Sequence, residues 1–148
     1  ETTSAGYQFT HDKIQASVQL LIDAPEEADI HLLIGKAFLN DIENDETHMY
    51  NAAVHLNRAP AFLHHLHQRT VLTRINHEAA KYCEQKSSFN QAFTMLRKGL
   101  DLIALYEPWS ESNFDMTFEM MESLARMQLV VGDFDGCKRT TREALDHG

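Results

Sequence analysis

Two stretches of the chain, 45 residues apart, share a pattern of small and aromatic residues that restricts the fold strongly. Residues 87–92 (SSFNQA) and 132–137 (GDFDGC) each begin with two small or polar residues and an aromatic residue, and a small residue follows three positions later. Small residues let two antiparallel helices approach closely, while the aromatic residue fills the space beside the turn. The pattern therefore predicts two consecutive helical hairpins, which bury their apolar faces only by stacking on neighbours.

Apolar residues recur at helical spacing along most of the chain, between short polar breaks. Ile14, Val18 and Leu21 mark a first face, and Ile30, Leu33, Ile34, Ala37 and Phe38 mark a second. With only 3 Pro and 6 Gly among 148 residues, little material remains for the turns of an all-β fold. We predict an all-α fold of about seven helices, packed as stacked antiparallel hairpins. Residues 7–9 alternate apolar and polar side chains, which is typical of a short strand.

We expect the core to be formed by the apolar faces of these helices. The predicted buried residues are Ile34, Phe38, Leu56, Ile75, Ala79, Ala92, Phe93, Leu96, Phe118 and Ala125.

Charge and cysteine content exclude several classes of function. The net charge is −9, and the 13 Lys and Arg form no basic run, so nucleic acid is not an expected partner. No apolar run is long enough to span a membrane. Cys83 and Cys137 are too few for a disulfide framework, which indicates small core residues of a reducing, cytoplasmic protein. The chain begins with Glu1 rather than Met, which suggests an excised or processed part of a longer polypeptide.

The small–small–aromatic–x–x–small pattern resembles the second helix of tetratricopeptide repeats. The 45-residue spacing exceeds the usual repeat of about 34 residues, and the excess lies in the loop that contains Trp109. The resemblance implies a superhelix of helical hairpins rather than a strict tetratricopeptide array.

A longer set of motifs occurs in order along the chain: residues 7–15 (YQFTHDKIQ), 31–35 (HLLIG) and 55–58 (HLNR), then Trp109 and Phe114, then residues 117–118 (TF). This order resembles the region that follows the AAA-type, STAND-class ATPase module of large multi-sensor signalling kinases of the histidine or serine/threonine type. The resemblance implies that residues 1–24 end a winged-helix-like segment and residues 25–148 form the tetratricopeptide-like region. No Walker A motif occurs in the chain, so ATP or ADP is expected only in the longer protein, and no cofactor is expected here.

His11 is the candidate cofactor-binding residue that the resemblance implies. In STAND-class proteins a similar His-Asp pair, here His11 and Asp12, closes the winged helix, and the histidine contacts the phosphate of bound ADP. An imidazole beside the free N–H groups of a helix N-terminus suits an anionic phosphate. Within this chain alone, a local helix-capping role for His11 is the competing interpretation.

Two further features could carry function. His64, His65 and His67 invite a metal hypothesis, but a closed zinc site needs four ligands and no Cys or acidic partner lies nearby in sequence, so a solvated linker is the better interpretation. Trp109, the only tryptophan, could anchor a partner protein or could pack over the core between the hairpins. We predict no catalytic and no metal-binding residue.

These observations predict a non-catalytic helical scaffold of a larger ATPase-containing signalling protein. It would couple a nucleotide switch to an output domain and contact proteins, both within the parent chain and outside it. The alternatives are a free-standing helical adaptor and a metal-dependent enzyme that uses the histidines.

Overall fold

A computed structural model describes residues 24–147 of the chain. Within that range the protein is helical throughout and contains no strand, so the all-α prediction is confirmed. The six α-helices are α1 (Ala24–Leu39), α2 (Glu46–Leu56), α3 (Leu66–Gln85), α4 (Phe89–Ile103), α5 (Phe114–Val130) and α6 (Phe134–His147), and short 3₁₀ turns lie at Ile42–Asn44 and Pro60–Leu63. Residues 1–23 lie outside the described range. The strand predicted at 7–9, the helix predicted around Ile14 and nearly all of the predicted 1–24 segment fall there.

The helices pair in chain order as three antiparallel hairpins, α1 with α2, α3 with α4 and α5 with α6. Successive hairpins contact each other through α2 with α3 and through α4 with α5. One apolar core runs through the stack and is formed mainly by Ala, Leu and Met side chains, among them Ala52, Leu72, Ala92, Leu96, Met120 and Leu124. Among residues 24–147, no helix combines the length and the apolar character needed to cross a bilayer.

The two turns that the repeat pattern identified have the same backbone geometry. Ser87 (φ +58°) and Gly132 (φ +81°) occupy the left-handed region directly after α3 and α5. The following N–H groups close equivalent hydrogen bonds to carbonyls five residues earlier: Ser88 to Cys83 and Asp133 to Gln128, each at 2.8 Å. This is the Schellman ending of a helix. The 45-residue spacing of the sequence thus reappears as a repeated helix ending.

Five of the ten predicted core residues are confirmed as buried, and the other five are less buried than predicted. Leu56, Ile75, Ala79, Ala92 and Leu96 are buried. The other five predicted core residues are only partly buried: Ile34, Phe38, Phe93, Phe118 and Ala125.

The largest departure lies on α1. Part of its predicted inner face is turned outward, with Ile30 41% and Leu33 72% exposed, whereas His31 and Gly35 are buried against α2. A Cβ built on Gly35 would lie 2.6 Å from Leu56 Cδ2, so the absence of a side chain lets the two helices approach here. This close contact at Gly35 fixes the rotation of α1 and leaves Ile30 and Leu33 on its outer side.

Candidate functional site

An open groove of about 860 Å³ lies between α3, α5 and the loop that connects α4 to α5. Its walls come from the first helices of two successive hairpins, together with the Trp109-containing loop. Polar and charged side chains dominate the lining, which consists of Leu66, Thr70, Arg74, His77, Glu78 and Lys81 from α3, Tyr106, Glu107, Ser110, Ser112 and Asn113 from the loop, and Asp115, Met116 and Glu119 from α5.

The sequence of α3 places its polar residues on one side of the helix. Thr70, Arg74, His77 and Lys81 follow at intervals of four, three and four residues, which is the spacing of a single helical face. Residues of the opposite face, such as Leu72, are in the core. The groove wall is therefore the polar side of an amphipathic helix.

Hydrogen bonds hold the loop that forms the other wall. Tyr106 Oη donates to Thr73 Oγ1 at 2.6 Å, which ties the start of the loop to α3. Asn113 Nδ2 donates to the carbonyl of Glu107 at 3.1 Å, and Thr117 Oγ1 donates to the carbonyl of Pro108 at 2.7 Å. These contacts attach the loop to α3 and to the first turn of α5, so the groove has defined walls on both sides.

His77 lies at the base of the groove and is the most unusual of its lining residues. Its side chain is only 5% exposed, and Nε2 has no hydrogen-bond partner within the part of the chain that the structure describes. The nearest carboxylate oxygen, Oε2 of Glu119, lies 3.6 Å from Nε2, beyond hydrogen-bond range. Buried polar atoms are nearly always hydrogen-bonded, so an unpartnered ring nitrogen beside a groove points to a missing ligand or water.

Lys81 bridges two carboxylates beside this histidine. Its Nζ lies 3.2 Å from Glu78 Oε1 and 3.3 Å from Glu119 Oε2. Burial by itself lowers the pKa of Lys81, but the hydrogen bonds to Glu119 and Glu78 outweigh it and the pKa is raised. Burial lowers the pKa of His77, and the charge of Lys81 lowers it further, against the opposing carboxylates of Glu78 and Glu119. At neutral pH, His77 is therefore a neutral imidazole beside a lysine ammonium.

The groove as a whole carries negative charge. Four carboxylates line it and two cations oppose them, Arg74 and Lys81. Ser110 Oγ hydrogen-bonds with Ser112 Oγ at 3.3 Å, so the groove's serine hydroxyls are paired with each other rather than with His77. The arrangement offers hydrogen-bond acceptors and negative charge to a polar ligand.

The residues singled out in the sequence lie elsewhere. His11 is outside the described residues, so its proposed phosphate contact stays a prediction. Trp109 is half-buried in the loop, with its ring 4.4 Å from that of His147 and 5.9 Å from that of Phe114. The structure thus places Trp109 against α5 and α6, and its role as a partner anchor stays a prediction.

His64, His65 and His67 are all exposed, at the bend before α3 and in its first turn. Between residues 24 and 147, no three His, Cys, Asp or Glu side chains are placed so that they could hold a metal ion. A part-buried pair of histidines lies between α1 and α2, where His31 Nδ1 and His55 Nδ1 are 2.7 Å apart.

Sequence reasoning missed the groove, although α3 carried a signal. The polar stripe from Thr70 to Lys81 lies opposite a largely apolar face, and it includes a histidine among long charged side chains. The contribution of Glu119 depends on how α5 packs beside α3, which no local pattern reveals.

No protein-family model, curated protein or solved structure matches this chain. The resemblance to the ATPase-associated region of signalling kinases therefore rests on the quoted motifs.

Proposed function

We propose that the chain is a non-catalytic, tetratricopeptide-like helical scaffold that binds an extended segment of a partner polypeptide in the groove between α3 and α5. The observation that carries the proposal is His77, a buried histidine whose Nε2 has no hydrogen-bond partner within residues 24–147 and which lines an open polar groove. Stacked helical hairpins commonly bind partners along the surface that their successive helices line. An extended segment also brings backbone N–H and C=O groups, which the polar lining could pair.

The resemblance extends this proposal to the longer protein. There the scaffold would act in the cytoplasm between a nucleotide switch and an output domain, and His11 would contact the phosphate of bound ADP. A charge-assisted hydrogen bond of this kind contributes about 1.5–3 kcal/mol, so its loss shifts the switch by roughly ten- to a hundredfold. In the longer protein, His11→Ala should therefore speed ADP dissociation, and an unchanged rate would remove His11 from the proposal.

Selection of a random peptide library on the purified chain tests the binding function. Selected peptides should bind the parent chain and lose binding to Thr70→Phe, because the added ring occupies the groove. Thr94→Phe is the matched control. Both threonines lie within a helix and donate to the carbonyl four residues earlier, Thr70 at 3.2 Å and Thr94 at 3.0 Å, but Thr94 is on α4, away from the groove. A library without binders, or binders equally sensitive to both variants, would refute the proposal.

A further inference from the structure

The side chain of Lys81 lies between two carboxylates beside His77, as the basic side chain of a bound ligand would. The ammonium group sits between Glu78 Oε1 and Glu119 Oε2, at 3.2 and 3.3 Å. Lys81 and Glu119 are 43% and 54% exposed at their side chains, so their contact is a surface ion pair. Such pairs contribute little net stability, and a competing cation can replace one partner at small cost.

We propose that the groove recognises a lysine or arginine side chain of the bound polypeptide, and that Lys81 occupies the place of that cation in the free protein. This inference rests on the proposed function, since it names the chemistry of the segment that the groove binds. The incoming side chain would displace Lys81 from the carboxylates of Glu78 and Glu119 and would sit over His77.

The surroundings of His77 favour a donor at this position. In the tautomer with the proton on Nδ1, Nε2 is a free acceptor, and the nearby Glu78 Oε1, 4.0 Å from Nδ1, favours the proton on that side. Nε2 and Glu119 Oε2 are then two acceptors 3.6 Å apart, and a donor that contacts both satisfies both. Lys81 hydrogen-bonds to Glu119 but not to Nε2, which leaves Nε2 as an acceptor for the ligand. An arginine fork or a lysine ammonium carries enough N–H groups for these acceptors.

The charge of the groove supports a basic ligand over an acidic one. Its four carboxylates outnumber its two cations, and Glu107 and Asp115 form no ion pair within residues 24–147. These two carboxylates can accept further basic residues of the same segment. Because His77 is neutral at neutral pH, it does not repel the cation.

Fluorescence anisotropy with labelled groove-binding peptides tests the inference. The peptides are those whose binding Thr70→Phe abolishes, and each Lys or Arg in them is replaced by Met in turn. We expect one such replacement to weaken binding at least about tenfold, the equivalent of about 1.4 kcal/mol. Glu119→Gln in the protein should weaken binding of the parent peptide by a similar factor and should leave binding of the Met-substituted peptide nearly unchanged.

Lys81→Met gives the more specific test, because it removes the ammonium group from the position proposed for the cation of the ligand. It should tighten binding of the basic peptide several-fold, whereas Lys98→Met should change binding by less than about twofold. Lys98 is an exposed lysine of α4, so the two variants change the net charge equally and differ only in place. Circular dichroism confirms that both variants fold.

The outcomes separate the two proposals. Groove-binding peptides that tolerate the loss of every Lys and Arg would overturn the cation inference and leave the binding function standing. Equal effects of Lys81→Met and Lys98→Met would show that Lys81 does not occupy the ligand's position. A library without groove binders would overturn the binding function itself.

Discussion

Two asparagine side chains join the end of α2 to the middle of α3 through a reciprocal pair of hydrogen bonds. Asn57 Nδ2 donates to Asn76 Oδ1 at 2.8 Å, and Asn76 Nδ2 donates back to Asn57 Oδ1 at 3.0 Å and to the carbonyl of Leu72 at 2.9 Å. Asn76 is fully buried. Because no water reaches it, the pair is a polar clamp between the first and second hairpins rather than a surface contact.

The replacement Asn76→Ala removes three hydrogen bonds and leaves a small cavity. At about 1 kcal/mol for each bond, we expect the free energy of unfolding to fall by about 3 kcal/mol or more. Asn57→Ala removes the two reciprocal bonds and the contact from Nδ2 to Met95 Sδ at 3.8 Å, and it leaves part of the buried Asn76 amide without a partner, so it should cost about 2–3 kcal/mol. The loss of stability in the double variant should be smaller than the sum of the two single-variant losses by roughly 1–2 kcal/mol, because the two replacements remove the same two bonds.

Urea denaturation of the parent, both single variants and the double variant, followed by circular dichroism, measures this coupling. A matched cycle pairs Asn76→Ala with Asn90→Ala, an exposed residue at the start of α4, and should be additive within about 0.5 kcal/mol. If the Asn57–Asn76 cycle were equally additive, the reciprocal hydrogen bonds would not stabilise the contact between the two hairpins.

The remaining predictions concern the turns, a close contact and pH. Gly132→Ala should destabilise the fold by about 1 kcal/mol through backbone strain alone, since a Cβ there meets nothing within 4 Å, and Ser87→Gly should have the opposite sign. Thermal melts check both, and equal signs would contradict the repeated helix ending. Gly35→Ala should cost about 1–3 kcal/mol in urea, because its Cβ would overlap a buried leucine of α2. A stabilised variant, as helix propensity alone predicts, would show that α1 and α2 do not approach closely there.

The pKa of His55 in the folded state is lowered mainly by burial and further by the charges of His31 and Arg58. Unfolded histidine titrates near pH 6.5, so the folded state should lose stability as the pH falls below about 6.5. His55→Gln should reduce that loss, and an unchanged pH dependence of the melting temperature would contradict the assignment.

The sequence was most informative where one local feature decides the structure. Helix ends follow from breaks such as Ser87-Ser88 and Gly132-Asp133, and the structure has its turns at both. Burial was harder to predict, because the rotation of a helix depends on its neighbour. On α1 the apolar pattern pointed to Ile30 and Leu33, whereas the close approach at Gly35 turns His31 inward.

A site that forms between two helices, such as the groove, cannot be predicted from the sequence pattern of either helix alone. His77 and Glu119 are 42 residues apart and meet only because α5 packs beside α3. The histidines that drew attention by clustering, His64 and His65, are exposed, while the isolated His77 is buried. Clustering in sequence is visible without a structure, but burial of a single polar residue opposite an apolar face requires the packing of neighbouring helices.

Nuclear magnetic resonance mapping of a selected peptide on the isotope-labelled chain shows directly whether the peptide binds in the groove between α3 and α5. Peptide binding in the groove predicts that the largest shift changes fall on the α3 and α5 residues that line it, including Thr70, His77 and Glu119, with little change at Thr94 on α4. Shift changes centred on α4 or α6, with the groove unaffected, would contradict it.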